Sequence, residues 1–125
     1  MTSKKQKPQS INEPELAVYR LPAGLALVRR HLAQIDDMCR EFHVLSLELF
    51  GSAVKETFRL SSDLDFLVQF DQIPLEDYFE NFINLQLSLE RLFDRKVDLL
   101  ELQTLKNPYL IESVNQNKVK IYGER

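Results

Sequence analysis

From Val44 to Phe50 the apolar residues Leu45, Leu47 and Leu49 alternate with Ser46 and Glu48, a two-residue period that describes an extended strand with one buried face. Just upstream, Leu25, Val28, Leu32, Ile35, Cys39 and Phe42 recur every three or four positions, the stripe of an amphipathic helix whose first turn Pro22 suits. Downstream, residues 63–70 form a second extended segment, and Asp71 to Pro74 a turn. A long helix follows with Leu75, Phe79, Phe82, Leu85, Leu89 and Leu92 on one side. Lys96 to Glu101 makes a third short strand, Asn107-Pro108 opens a helix of about two turns ending near Asn117, and Val119 to Tyr122 is a last strand. The order helix, strand, strand, helix, strand, helix, strand predicts an α/β (α+β) domain, a small mixed β-sheet covered by helices.

With 125 residues, 44% of them hydrophobic, the chain suffices for one core. Residues 1–20 are expected to be a flexible polar N-terminal arm, and 21–125 the folded domain. Met1 to about Glu15 is polar, contains Pro8 and Pro14 and shows no period, and Lys4, Lys5 and Lys7 read as a solvated tail. A formal charge of −3 offers no general attraction for long nucleic acid, so phosphate binding must be local. Cys39 alone cannot form an internal disulfide and lies on an apolar helix face. No run approaches membrane-spanning length and no apolar core of signal-peptide type follows the first residues, so the expected location is cytoplasmic. His31 and His43 lack spaced partners and read as structural or surface residues; Tyr78, Phe79, Phe82 and Phe93 follow helical spacing and read as core.

The polar anomalies fall on the strands. Asp63 and Asp65 flank Leu64 at the start of an otherwise apolar segment, Asp-Leu-Asp-Phe-Leu-Val-Gln-Phe. Residues i and i+2 of a strand share a face, so the two carboxylates stand side by side and repel unless a hard cation with oxygen ligands lies between them. Asp98 repeats the anomaly among Val97, Leu99 and Leu100, on what reads as an adjacent strand. Three converging acids can hold two cations, the arrangement that clamps attacking and leaving oxygens in phosphoryl or nucleotidyl transfer. Upstream, a strand runs into Gly51-Ser52, where glycine permits a tight turn and brings backbone N–H groups close to phosphate oxygens. A helix beginning over Ala53 to Glu56 would add its N-terminal partial charge.

Strand, Gly-Ser, a ten-residue connection, Asp-x-Asp on a second strand and a lone Asp on a third resemble the nucleotidyltransferase superfamily of polymerase-beta type, and within it the minimal nucleotidyltransferases. The matching text runs from Leu49-Phe-Gly-Ser to Ser62-Asp-Leu-Asp-Phe-Leu-Val68, with Lys96-Val-Asp-Leu-Leu-Glu101 after it. The likeness spans roughly residues 25 to 122. Departures from the family pattern are Ala53 where Arg is common, Glu56 and Asp94 where Gly is common, and Leu60 where Pro is common; Arg59, Arg95 and Lys96 keep basic character.

The resemblance implies that Asp63, Asp65 and Asp98 are catalytic and hold Mg²⁺ in a two-metal site, with Mn²⁺ able to substitute. Gly51, Ser52 and Ser62 would then contact the triphosphate of ATP, and Lys55 and Arg59 would neutralise the departing pyrophosphate. It further implies transfer of AMP to an acceptor hydroxyl on a HEPN-type partner toxin, the chain acting as antitoxin of a toxin-antitoxin module. The alternative is a catalytically weak or inactive protein of the same fold that neutralises its partner by stoichiometric binding, a reading that Ala53 and Glu56 favour and the intact carboxylates oppose. Either a homo-oligomer or a hetero-oligomer with such a partner is compatible with the sequence.

Overall fold

The computed structural model describes residues 21–123. The expected N-terminal arm, 1–20, lies outside the described residues. Two helices, α1 (Ala23–Arg29) and α2 (Leu32–Glu41), replace the one continuous helix suggested by the apolar stripe. The break is at His31, whose N–H donates to Val28 O at 3.0 Å, one residue short of the helical register, while its Nδ1 lies 3.1 Å from Leu27 O. The stripe itself persists across the break, because Leu25, Val28, Ile35 and Cys39 are all buried.

The sheet has four strands, β1 (Val44–Phe50), β2 (Leu64–Phe70), β3 (Val97–Glu101) and β4 (Val119–Tyr122), in the order β3-β2-β1-β4. β1 pairs antiparallel with β2 and β4, whereas β2 and β3 are parallel, so the sheet is mixed as the pattern predicted. A parallel pair needs a crossover, and helix α3 (Leu75–Phe93) supplies it. A register shift between Val44 and Ser46 turns Val44 inward and leaves Leu45 exposed, so Leu45 is not on the buried face as its alternation with Ser46 suggested.

Helix α3 also departs from its apolar stripe. Leu85, Leu89 and Phe93 are buried, but Leu75 is 88% and Phe79 73% exposed. Nineteen residues of helix extend about 28 Å at 1.5 Å per residue, whereas the seven-residue strand β2 spans about 23 Å and the five-residue β3 about 17 Å. The first turns of α3 therefore overhang the sheet. Of the aromatic residues expected in the core, Tyr78, Phe82 and Phe93 pack there, and Phe79 does not. α3 ends at Asp94 in the left-handed conformation (φ 50°), a position where Gly or Asn is usual and Asp is tolerated.

The larger core lies on the sheet face covered by α1, α2 and α3, centred on Leu47, Leu49, Leu64, Phe66 and Leu89. On the opposite face Phe50 and Leu67 pack against Val114 of α4 (Pro108–Asn117). Asn107 begins α4, its Oδ1 accepting the N–H groups of Tyr109 and Leu110 at 2.9 and 3.3 Å, with Pro108 in the first turn. Among the described residues no helix is long and apolar enough to cross a membrane.

Candidate active site

Strand periodicity delivers the acids. In β2, Leu64, Phe66, Val68 and Phe70 face the larger core, which leaves Asp65, Leu67 and Gln69 on the other face. In the parallel register Asp65 stands directly opposite Asp98 of β3, and on its other side it is opposite Phe50, the last residue of β1. The chain leaving β1 must then pass over Asp65, and Gly51 is the residue that allows it. It has φ +73°, and a Cβ built there would run into Asp65 Oδ2. Gly51–Val54 forms one 3₁₀ turn, closed by Lys55 N–H donating to Ser52 O at 2.9 Å. The helix expected over Ala53 to Glu56 is absent: Lys55 is already extended, and a four-residue turn offers N–H groups but little macrodipole.

The turn is held from behind. Ala53 is fully buried, and a Cβ added to Gly24 of α1 would lie 2.5–2.7 Å from Ala53 atoms. The small residue at position 53 thus has a steric cause in this chain, because α1 lies where a longer side chain would project.

Asp65 is the electrostatic centre. Burial, the adjacent Asp98 charge and hydrogen bond, and the Asp63 charge push its carboxyl up to about 6, opposed in part by Lys96. Asp63, 39% exposed, precedes β2 and lies 3.8 Å from Lys96 Nζ. Among the described residues no three His, Cys, Asp or Glu side chains are close enough together to enclose a metal ion. The chemistry of the donor set nonetheless fits a hard divalent cation, since its ligands are all oxygen and their mutual repulsion is what positive charge would relieve.

The remaining residues singled out by sequence lie on the connection between the turn and β2. Lys55 is exposed, and Arg59 directs its guanidinium at the carbonyls of Glu56 (3.4 Å) and Phe58 (3.3 Å). Ser62 Oγ accepts the Arg59 N–H at 2.9 Å, closing this connection into a turn beside Asp63. His31 stands edge-on to Phe93 at 5.3 Å, and His43 sits at φ 59° with its carbonyl accepting Asp71 N–H; neither joins the acids. Cys39 is buried, which pushes its thiol up to about 12.

Sequence reasoning noted Arg95 only as a basic residue before the third strand and gave no site role to Arg95, Phe58 or Gly24. Arg95 donates to Ser62 O at 3.1 Å with its guanidinium 5.1 Å from the centre of the Phe58 ring, while its buried Nε has no hydrogen-bond partner among the described residues. Leu64 N–H donates to Lys96 O at 3.1 Å. The segment 94–96 therefore clamps the segment that carries Ser62 and Asp63. Its signal in sequence is two basic residues directly before a strand that contains the third acid.

Comparison with known proteins places this geometry in context. The sequence profile of the family described as Polymerase beta, Nucleotidyltransferase matches residues 33–125. A Thermococcus cleftensis protein named protein adenylyltransferase MntA is 35% identical over 75 residues, covering 60% of this chain and 73% of its own length. A Methanocaldococcus jannaschii protein, provisionally named a protein adenylyltransferase, is 30% identical over 95 residues, covering 76% of this chain and 91% of its own. Among solved structures, a toxin-antitoxin crystal structure with AMP-PNP superposes with TM-score 0.60 at 23% identity, over 75% of this chain and 74% of that one. A Shewanella oneidensis complex of tri-AMPylated HEPN toxin with MNT antitoxin superposes with TM-score 0.55 at 21% identity, over 78% and 73%; both likenesses speak to the fold. The chain belongs to the polymerase-beta-type nucleotidyltransferase family, within its minimal nucleotidyltransferase branch.

Proposed function

We propose that this chain is a divalent-metal-dependent protein adenylyltransferase that moves AMP from ATP to an acceptor hydroxyl on a HEPN-type partner, as the antitoxin of a toxin-antitoxin pair. The observation that carries the reading is the register pairing of Asp65 with Asp98 immediately beneath the Gly51 turn. It sets two carboxylates beside a backbone that only glycine permits. Relatives named as protein adenylyltransferases support the choice of acceptor class.

Asp63, Asp65 and Asp98 would hold Mg²⁺ or Mn²⁺, which when bound supplies charge neutralisation at the phosphates. The N–H groups of the Gly51–Ser52 turn and the Ser52 hydroxyl bind the outer phosphates of ATP, and Ser62 shapes the loop beside them. Asp98, exposed on β3, takes the proton of the acceptor hydroxyl as its oxygen bonds to the α-phosphorus. The bond from that phosphorus to the bridging oxygen breaks, and pyrophosphate leaves past Lys55 and Arg59. Residues 21–125 act as one catalytic unit in the cytoplasm, and residues 1–20 as an appended arm.

Incubation of the purified chain with α-labelled ATP, Mg²⁺ or Mn²⁺ and a HEPN-type partner tests this directly. Label is expected on the partner only with metal and is lost in Asp63→Asn/Asp65→Asn. Tight partner binding by both forms without labelling would replace transfer by stoichiometric neutralisation.

A further inference from the structure

Glu101 ends β3 opposite Val68 of β2, and like Val97 and Leu99 it belongs to the sheet face that α3 covers. It is 5% exposed, the one buried polar or charged side chain among the described residues. Its backbone carbonyl accepts Thr104 Oγ1 at 2.8 Å, whereas its carboxylate makes no hydrogen bond or ion pair with any described residue. A carboxylate taken out of water is costly unless a donor or a positive charge meets it.

This side chain lines a pocket of about 240 Å³ at the carboxyl ends of the parallel strands β2 and β3, walled by Phe70, Ile73 and Tyr78, with the exposed Asp71 and Gln103 beside it. Arg95 Nε is the one wholly enclosed side-chain polar atom without a hydrogen bond among the described residues. The Glu101 oxygens, which also lack one, therefore still open onto the pocket. No described Lys, Arg or His lines it, so the pocket supplies no cation of its own. Phe70 and Tyr78 meet edge to face with ring centres 5.6 Å apart, adding π-electron density beside the carboxylate. Burial and then the Glu101 charge hold the Tyr78 phenol above its ordinary range, so it stays a neutral hydroxyl.

We propose that this pocket binds a small organic cation, an alkylammonium group, whose charge meets the Glu101 carboxylate and whose stem packs against Phe70 and Tyr78. The donor set selects this class over a metal ion. Among the described residues no three His, Cys, Asp or Glu gather here, and two carboxylates fall well short of the roughly six to eight oxygens of a calcium shell. One oxygen of Asp71 is already engaged, accepting Gln72 N–H at 2.8 Å. Size points the same way, since the pocket is smaller than the roughly 300–1,000 Å³ usual for drug-sized ligands. Asp65 and Asp98 face the other side of the sheet, and five residues of β2, about 17 Å, separate Asp65 from Phe70. The inference is therefore independent of the transfer reading.

Backbone amide shifts of the isotope-labelled full chain would be followed by NMR during titration with n-butylammonium chloride, against potassium chloride at equal ionic strength. Saturable shifts at Phe70, Tyr78 and Gln103 are expected with the amine and not with potassium, and Glu101→Gln should weaken binding about tenfold or more. The amine should raise the melting temperature of wild type and not of Glu101→Gln, while both bind a fluorescent ATP analogue equally. Shifts that do not saturate, that potassium reproduces, or that persist in Glu101→Gln would overturn the site. The variant keeps the side-chain shape and removes the buried charge, so without amine it should melt at or above wild type. A fall of several degrees would show the carboxylate to be satisfied within the fold, and would also overturn the site. Nα-acetyl-lysine amide separates the sources of the ammonium: if it binds as n-butylammonium does, the site accepts a protein lysine, and if n-butylammonium alone binds, the ligand is a free amine.

Discussion

Replacing Asp65 by Asn should make the metal-free domain more stable while destroying transfer. In the folded chain the Asp65 carboxyl rises from its usual 3.8 to about 6, because burial and the charges of Asp98 and Asp63 oppose ionisation. Between those two pH values the folded state keeps a proton that the unfolded chain has lost. Stability therefore falls as pH rises through this window, and the penalty is fully present above it. A rise of this size corresponds to about 3 kcal/mol at 1.36 kcal/mol per pH unit; because the side chain is only half-buried, solvent screening reduces it to roughly 1 kcal/mol. Asn keeps the shape, can donate to Asp98 and cannot ionise. Thermal denaturation followed by circular dichroism in EDTA should then show Asp65→Asn melting roughly 4 °C above wild type at pH 7.5, with the difference vanishing near pH 4. Saturating Mg²⁺ should reverse the order by stabilising wild type more. A variant that melts at or below wild type at pH 7.5, or an advantage that persists at pH 4, would refute the claim that carboxylate repulsion is concentrated at Asp65.

Gly51→Ala places a Cβ against Asp65 Oδ2 at a positive φ, so a loss of about 1–2 kcal/mol in urea denaturation and a collapse of transfer are expected together. Gly24→Val drives a side chain into the backbone of Ala53, and should lower the melting temperature and raise the KM for ATP by displacing the Gly51–Ser52 turn, seen in steady-state kinetics. Arg95→Ala frees the Ser62 carbonyl and the Phe58 ring, so Mn²⁺ affinity measured by electron paramagnetic resonance should fall several-fold with the overall fold retained by circular dichroism; Arg95→Lys should restore little, since an ammonium cannot reproduce the planar stack.

Much of the architecture was legible because it rests on period. The strand at 44–50, the apolar segment after Asp63, the crossover helix and the final Val119–Tyr122 strand all emerge from the spacing of apolar side chains. The exceptions share a cause. Leu45, Leu75 and Phe79 have the right chemistry and spacing for burial, but a bulge in β1 and the greater length of α3 over its strands leave them without a surface to cover. Periodicity states which side chains share a face, not whether that face meets anything.

The candidate site divides along the same line. Asp63, Asp65 and Asp98 were visible as acids in apolar strands, and Gly51 as a glycine after one, because each breaks a local rule that only a special environment can justify. Local order also put Asp63 two residues before Asp65, at the entry to β2, where its charge acts on the Asp65 carboxyl. Only the tertiary structure decided that Asp98 stands opposite Asp65, that Gly51 passes directly over that carboxylate, that Gly24 sets the size of residue 53, and that Arg95 reaches across to Ser62. Those relations depend on strand register and crossover geometry, which follow from how distant segments pack together, and no spacing within one segment encodes them.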